Sequence, residues 1–131
     1  MEFENHYLEY NEYTQLGGSL QELPFNKLEY ECRRLIDERT LNRLKNATEI
    51  PDEVKMCVFK MIEDIITYQS SVEKAKKGVS SENIEGYSVS YLSVEQINNA
   101  IKSEMTNLET YISTYLFGVI VNNEHLLYIG I

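Results

Sequence analysis

SVEQINNAIKSEMTNLETYISTYL, residues 93–116, carries the clearest pattern in the chain. Ile97, Ile101, Met105, Leu108, Ile112, Tyr115 and Leu116 recur at steps of four and three, which places them on one face of an α-helix. Ser93 and Gln96 match a capping box immediately before that apolar run. Gly118 lies just past the last periodic residue, where helices commonly stop. A single apolar stripe of this length needs other elements to cover it. The stretch therefore predicts a helix in a bundle.

Two further long helices are predicted upstream. In the first, from about Pro24 to Glu38, Phe25, Leu28, Cys32, Leu35 and Ile36 form the stripe. Pro24 suits the first helical position, and this later start is preferred to one capped by Ser19 with Glu22. A short turn follows over Thr40–Lys45, with Thr40 as its N-cap. The second long helix starts at Pro51, with Val54, Val58, Met61, Ile62, Ile65 and Tyr68 on its apolar face. Asp52 and Glu53 favour its start, the lysines 74, 76 and 77 favour its end, and Gly78 is the expected stop.

Around these helices, residues 1–16 form an acidic, tyrosine-rich arm, either a short helix ended by Gly17-Gly18 or a loose extension. Residues 79–92 form a long strand-like loop, in which Tyr87, Ser88, Val89, Ser90 and Tyr91 alternate large and small. Residues 125–131, HLLYIGI, read as a short strand in an extended tail. The expected fold class is all-α: a small bundle of three long helices plus short helical turns, in one domain.

The formal charge is −9 and the pI about 4.7. That balance argues against binding nucleic acid by neutralising phosphates and against docking on an anionic membrane. No apolar run approaches bilayer length, and the acidic start is unlike a signal peptide. Charge is unevenly spread. Residues 32–77 hold ten basic and eight acidic side chains, whereas each flank is strongly acidic.

Catalytic chemistry is not expected. His6 and His125 lie near opposite ends, Cys32 and Cys57 fall on apolar helix faces as buried reduced thiols, and no nucleophile, phosphate-loop or metal-binding motif is present. No cofactor or metal is implied. Adjacent carboxylates such as Asp37-Glu38 and Glu63-Asp64 point apart on a helix and read as solvated faces. Arg33, Arg34, Arg39 and Arg43 cluster within eleven residues. They read as intramolecular partners of Glu29, Glu31, Asp37 and Glu38, in preference to a phosphate clamp.

Three blocks of the chain resemble the small helical head–tail connector (adaptor, or head completion) proteins of tailed bacteriophages and prophages. The first block is Tyr13-Thr14-Gln15-Leu16-Gly17-Gly18, followed by Phe25, Leu28, Cys32, Ile36-Asp37, Thr40 and Arg43. Cys32 stands where alanine is more usual. The second is Ser81-Glu82, Gly86 and Tyr87-Ser88-Val89-Ser90-Tyr91. The third is Tyr115-Leu116 with Leu126-Leu127-Tyr128-Ile129-Gly130, where Ile129 replaces a position that is often basic. Together they span about residues 13–130.

The resemblance implies structural work within one connector domain, residues 1–131. Such proteins form a ring, nominally of about twelve copies, beneath the portal ring. They extend the DNA channel, through which DNA passes without specific binding, and present a surface to the next neck or tail-completion protein. The expected location is the virion neck, after assembly in the bacterial host cytoplasm, with no membrane involved. Tyr87, Ser88, Val89, Ser90 and Tyr91 are then expected at the subunit interface. Leu126, Leu127, Tyr128 and Ile129 are expected to dock on the portal or a neighbour. The alternative is a regulatory helical module that binds one cellular protein partner.

Overall fold

The computed structural model describes residues 4–83 and 94–127, with side chains over 4–71, 99 and 101–127. The chain is a small, mostly helical bundle. Helix α1 (Tyr10–Gln15) leads to α2 (Glu22–Thr40), a 3-10 turn (Arg43–Asn46), α3 (Asp52–Asn83) and α4 (Val94–Leu116). The antiparallel strands β1 (Ile120–Val121) and β2 (Glu124–His125) follow. Packing is closest between α3 and α4 and next between α2 and α3. One core joins Phe25, Cys32 and Ile36 of α2 to Val54, Cys57, Val58, Met61 and Ile62 of α3, and to Leu108, Ile112 and Leu116 of α4.

The N-terminal arm is part of this core. Tyr7, Leu8 and Tyr13 are buried, so the loose extension is not what forms. The Glu9 amide donates to the Glu12 carboxylate at 2.9 Å, which holds the first turn of α1. At the other end the Gly17 N–H bonds the Thr14 carbonyl and the Gly18 N–H bonds that of Tyr13, both at 3.0 Å. With Gly17 at φ +99° this is a Schellman ending. The Tyr13 ring then folds under the turn. It lies 4.7 Å from Phe25 and 5.9 Å from Phe59 between ring centres, and its hydroxyl accepts the Leu20 N–H at 3.1 Å.

Several predicted boundaries move. Helix α2 begins two residues before Pro24, with Gln21 as its N-cap, so Ser19 does not cap it. Pro24 sits within the first turn, where no intrahelical N–H bond is needed. Thr40 is not an N-cap. It closes α2, its hydroxyl donating back to the Ile36 carbonyl at 2.8 Å. Leu41 and Asn42 both adopt left-handed backbone at the joint, and the turn that follows is 3-10. Gly78 does not stop α3, which continues to Asn83. A helical glycine costs only about 1 kcal/mol relative to alanine, and the preceding turns carry it. Residues 79–83 of the expected loop are therefore helical, and Tyr87, Ser88, Val89, Ser90 and Tyr91 lie outside the described residues.

The tail also differs. Of the strand expected over 125–131, His125 alone among the described residues is in a strand, the second of a hairpin that turns at Asn122 and Asn123, with φ +52° and +66°. Paired positive φ values are what a two-residue hairpin turn requires, and asparagine tolerates them well. Leu126 is wholly buried, Leu127 packs against the core, and residues 128–131 lie outside the described set.

The Tyr13–Gly18 contact gives a direct test. A Cβ on Gly18 would lie 2.2–2.4 Å from the Tyr13 ring, which its neighbours hold in place. Gly18→Ala is expected to cost about 1–3 kcal/mol, visible as a melting temperature several degrees lower. An unchanged melting curve would mean that the ring moves freely.

Candidate functional site

Three of the four clustered arginines pair within the fold, but only Arg33 does so with one of the expected partners. Arg33 Nε bonds the Glu29 carboxylate at 2.7 Å across one helical turn. Arg39 pairs with Glu109 on α4. Arg43 reaches Glu124 at 3.4 Å and donates to the His125 carbonyl at 2.6 Å, which ties the hairpin to the 3-10 turn. Arg34 remains exposed on α2.

Glu29 is the most constrained ionisable group. It is fully buried, and its carboxylate accepts the Tyr7 N–H at 2.8 Å and the Leu8 N–H at 3.4 Å as well as Arg33. Arg33 in turn donates to the carbonyls of Glu4 and Asn5. His6 hydrogen-bonds Asn26 at 2.8 Å and stacks on Phe25. The Tyr7 hydroxyl donates to Asp37, which is buried rather than on a solvated face. Burial, and then the bond to Asp37, raises the Tyr7 hydroxyl well above the usual phenol range. These contacts are structural and fasten the arm.

The thiols are buried and reduced. Burial pushes the Cys57 thiol up to about 12 and raises that of Cys32, so neither is an activated nucleophile. Among the described residues, no group of three or more His, Cys, Asp or Glu could hold a metal ion, and no helix is long and apolar enough to cross a membrane.

The site that sequence reasoning missed lies on the α4 stripe. Among its described residues, Leu108, Ile112 and Leu116 are buried. Ile101 is 47% exposed and Met105 41%. With Leu35 and Leu41 of the α2 end and Ile65 and Tyr68 of α3, they line a groove of about 800 Å³. Leu41 is 60% exposed there despite its left-handed backbone. The stripe gave a signal: its apolar residues run further than α2 can cover. A second apolar surface lies past α4, where Phe117 is 75% exposed and Ile120 57%.

A carboxyl pair sits at the groove wall. Asp64 and Glu104 each present a buried oxygen, Oδ2 and Oε1, with no other hydrogen-bond partner. One proton held between the two carboxyls satisfies both. The Tyr111 hydroxyl donates to the other Asp64 oxygen at 3.4 Å. Burial, then the bond to Asp64 and its charge, push the Glu104 carboxyl up to about 7. Asp64 is therefore not the solvated carboxylate expected from its position beside Glu63.

Of the residues assigned to docking, Leu126 is in the core and its side chain is not available to a partner. It is held there by the Arg43 contacts and by its own amide bond to the Val119 carbonyl at 2.9 Å. Leu127 is half-buried, and Tyr128 and Ile129 lie outside the described residues. Comparison with known proteins finds no matching family model, no similar curated protein and no similar solved structure.

Two outcomes follow. Glu29→Ala strands Arg33 and both arm amides, and is expected to cost about 3–5 kcal/mol in urea unfolding. Amide exchange at Tyr7 and Leu8 should rise with it, whereas unchanged exchange would mean that the arm is held otherwise. For Glu104 the folded carboxyl titrates near 7 against an ordinary 4.5, so the native state holds the extra proton. Its contribution is complete below the unfolded value and is lost as pH rises through about 7. Stability should fall between pH 5 and 7.5, and Glu104→Gln should flatten that slope.

Proposed function

We propose that this chain is a non-catalytic structural adaptor of the kind found at the head–tail joint of tailed bacteriophages. In this reading copies close into a ring beneath the portal, extend the DNA channel and carry the next neck or tail-completion protein. The observation that carries the reading is the presence of two uncovered apolar surfaces at separate places on one small chain. The groove spans Ile101 to Leu108 on α4, and Phe117 lies roughly 13–24 Å further along by helical rise. An adaptor must hold two unlike neighbours at once, and a chain with two such faces can do so. The order of the three sequence blocks supports the same reading.

Within it, Tyr87, Val89 and Tyr91 contact the adjacent copy, with Ser88 and Ser90 on the other side of the segment. Neighbours in a closed ring meet through two different surfaces, a heterologous contact. Tail docking falls to Tyr128 and Ile129, since Leu126 is spent on the core. The acidic surface gives the channel a wall that repels DNA and lets it slide. A regulatory module with one cellular partner would need only one of the two surfaces, and the groove alone would serve it.

The test is the mass of the complex formed with the portal ring from the same phage locus. About one copy per portal subunit, closing as a ring, is expected. Phe117→Asp with Ile120→Asp should leave the monomer folded, because both residues are exposed, and should block either the portal or the next protein. A complex of low fixed stoichiometry, or none at micromolar concentration, would overturn the adaptor in favour of the single-partner module.

A further inference from the structure

The groove has features that specify its occupant. Its floor is apolar, formed by Leu35, Ile65, Met105 and Leu108. Its rim is acidic: Glu31 and Glu38 are exposed on α2, against one cation, Arg34, among the described residues that line it. Asp37 also borders it, but is taken up by the Tyr7 hydroxyl. The walls are helices, and the seat lies across α3 and α4 beside α2. From Glu31 to Leu41 it is about 15 Å long, or between two and three helical turns.

A second copy of this chain fits poorly. The other exposed apolar position that could enter it is acidic like the groove rim, because Ile120 borders a hollow shared with Glu49 and Asp52. Like charges brought together across an interface oppose association.

We propose that this groove docks a helical segment of another protein, with leucine-like side chains on one face and lysine or arginine flanking them. Apolar side chains at i, i+3, i+4 and i+7 would cover Ile101, Met105 and Leu41. The flanking cations would meet Glu31 and Glu38. This rests on the reading of the groove as one of two docking faces, and it names the chemistry of that partner.

The test uses the full chain and a fluorescein-labelled peptide of about eighteen residues, with leucine at i, i+3, i+4 and i+7 and lysine elsewhere. Its control carries glutamate for lysine. Anisotropy at physiological ionic strength should show saturable one-site binding of the lysine peptide at micromolar concentration, and at least tenfold weaker binding of the control.

Leu41→Gly is the informative variant. It removes an exposed side chain and relieves a left-handed backbone, so the melting temperature should stay level or rise while affinity falls about tenfold. Ile101→Asp and Met105→Asp, at exposed positions, should abolish binding, and Phe117→Asp should not change it.

Equal binding of the two peptides would overturn the proposal, as would no binding of either or affinities unmoved by Leu41→Gly and Ile101→Asp. Self-association of the free chain that Ile101→Asp removes would overturn it in favour of a second copy. Failure here with portal assembly intact removes this occupant and leaves the adaptor standing. Peptide binding without portal assembly does the reverse.

Discussion

A carboxylate buried without solvent determines how this chain is assembled. Glu29 accepts two backbone amides of the arm and the Arg33 guanidinium from a position of zero exposure. Burying such a group costs several kcal/mol unless its lone pairs are met, and here two partners come from residues more than twenty positions away and the third from the next turn of α2. The arm is thereby held to a single register on α2. Tyr7 and Leu8 fall into the core, each worth about 1.5–3 kcal/mol of apolar burial, and Tyr13 follows through the short helix. Without the arm, Phe25 and the upper face of α2 would lose their cover.

The same arrangement explains why the other end stays open. Helix α2 is occupied by the arm on one side and by α3 on the other, and it ends at Thr40 in two left-handed residues. The α3–α4 pair continues past it, α3 being 32 residues long and α4 23. Apolar residues at the crossing are buried, and those beyond it, Ile101 and Met105, are not. The exposed groove is thus a consequence of unequal helix lengths around one core, with no local distortion of α4 required.

Helix existence and the core-facing residues were legible in the sequence because apolar periodicity reports which face needs cover. Phe25, Cys32, Ile36, Val54, Val58, Met61, Ile62, Leu108, Ile112 and Leu116 are all buried where the pattern put them. Periodicity does not report how far the cover extends, which is why Ile101 and Met105 read as core. Boundaries were less legible for local reasons. Pro24 is tolerated anywhere in a first turn, Gly78 is tolerated inside a long helix, and Thr40 bonds backward as readily as forward. The Asn122-Asn123 turn was a usable signal of a hairpin that the apolar run after it obscured. The Arg33–Glu29 pair was legible from its spacing, but the arm contacts of Glu29 and Asp37 and the pairing of Asp64 were not, because each depends on a partner distant in the chain.

Charge segregation in the sequence gains a meaning once the chain is folded. Ion pairs join the basic middle to the acidic ends: Lys55 to Glu12, Arg33 to Glu29, Arg39 to Glu109 and Arg43 to Glu124. Apart from the buried Arg33–Glu29 pair, these are partly or largely exposed and worth about 0–1 kcal/mol each, so they do not hold the bundle together. Pairing takes up three of the four arginines, and Glu31 and Glu38 are among the carboxylates left over. The negative rim that they form borders the apolar surface that the helices leave uncovered.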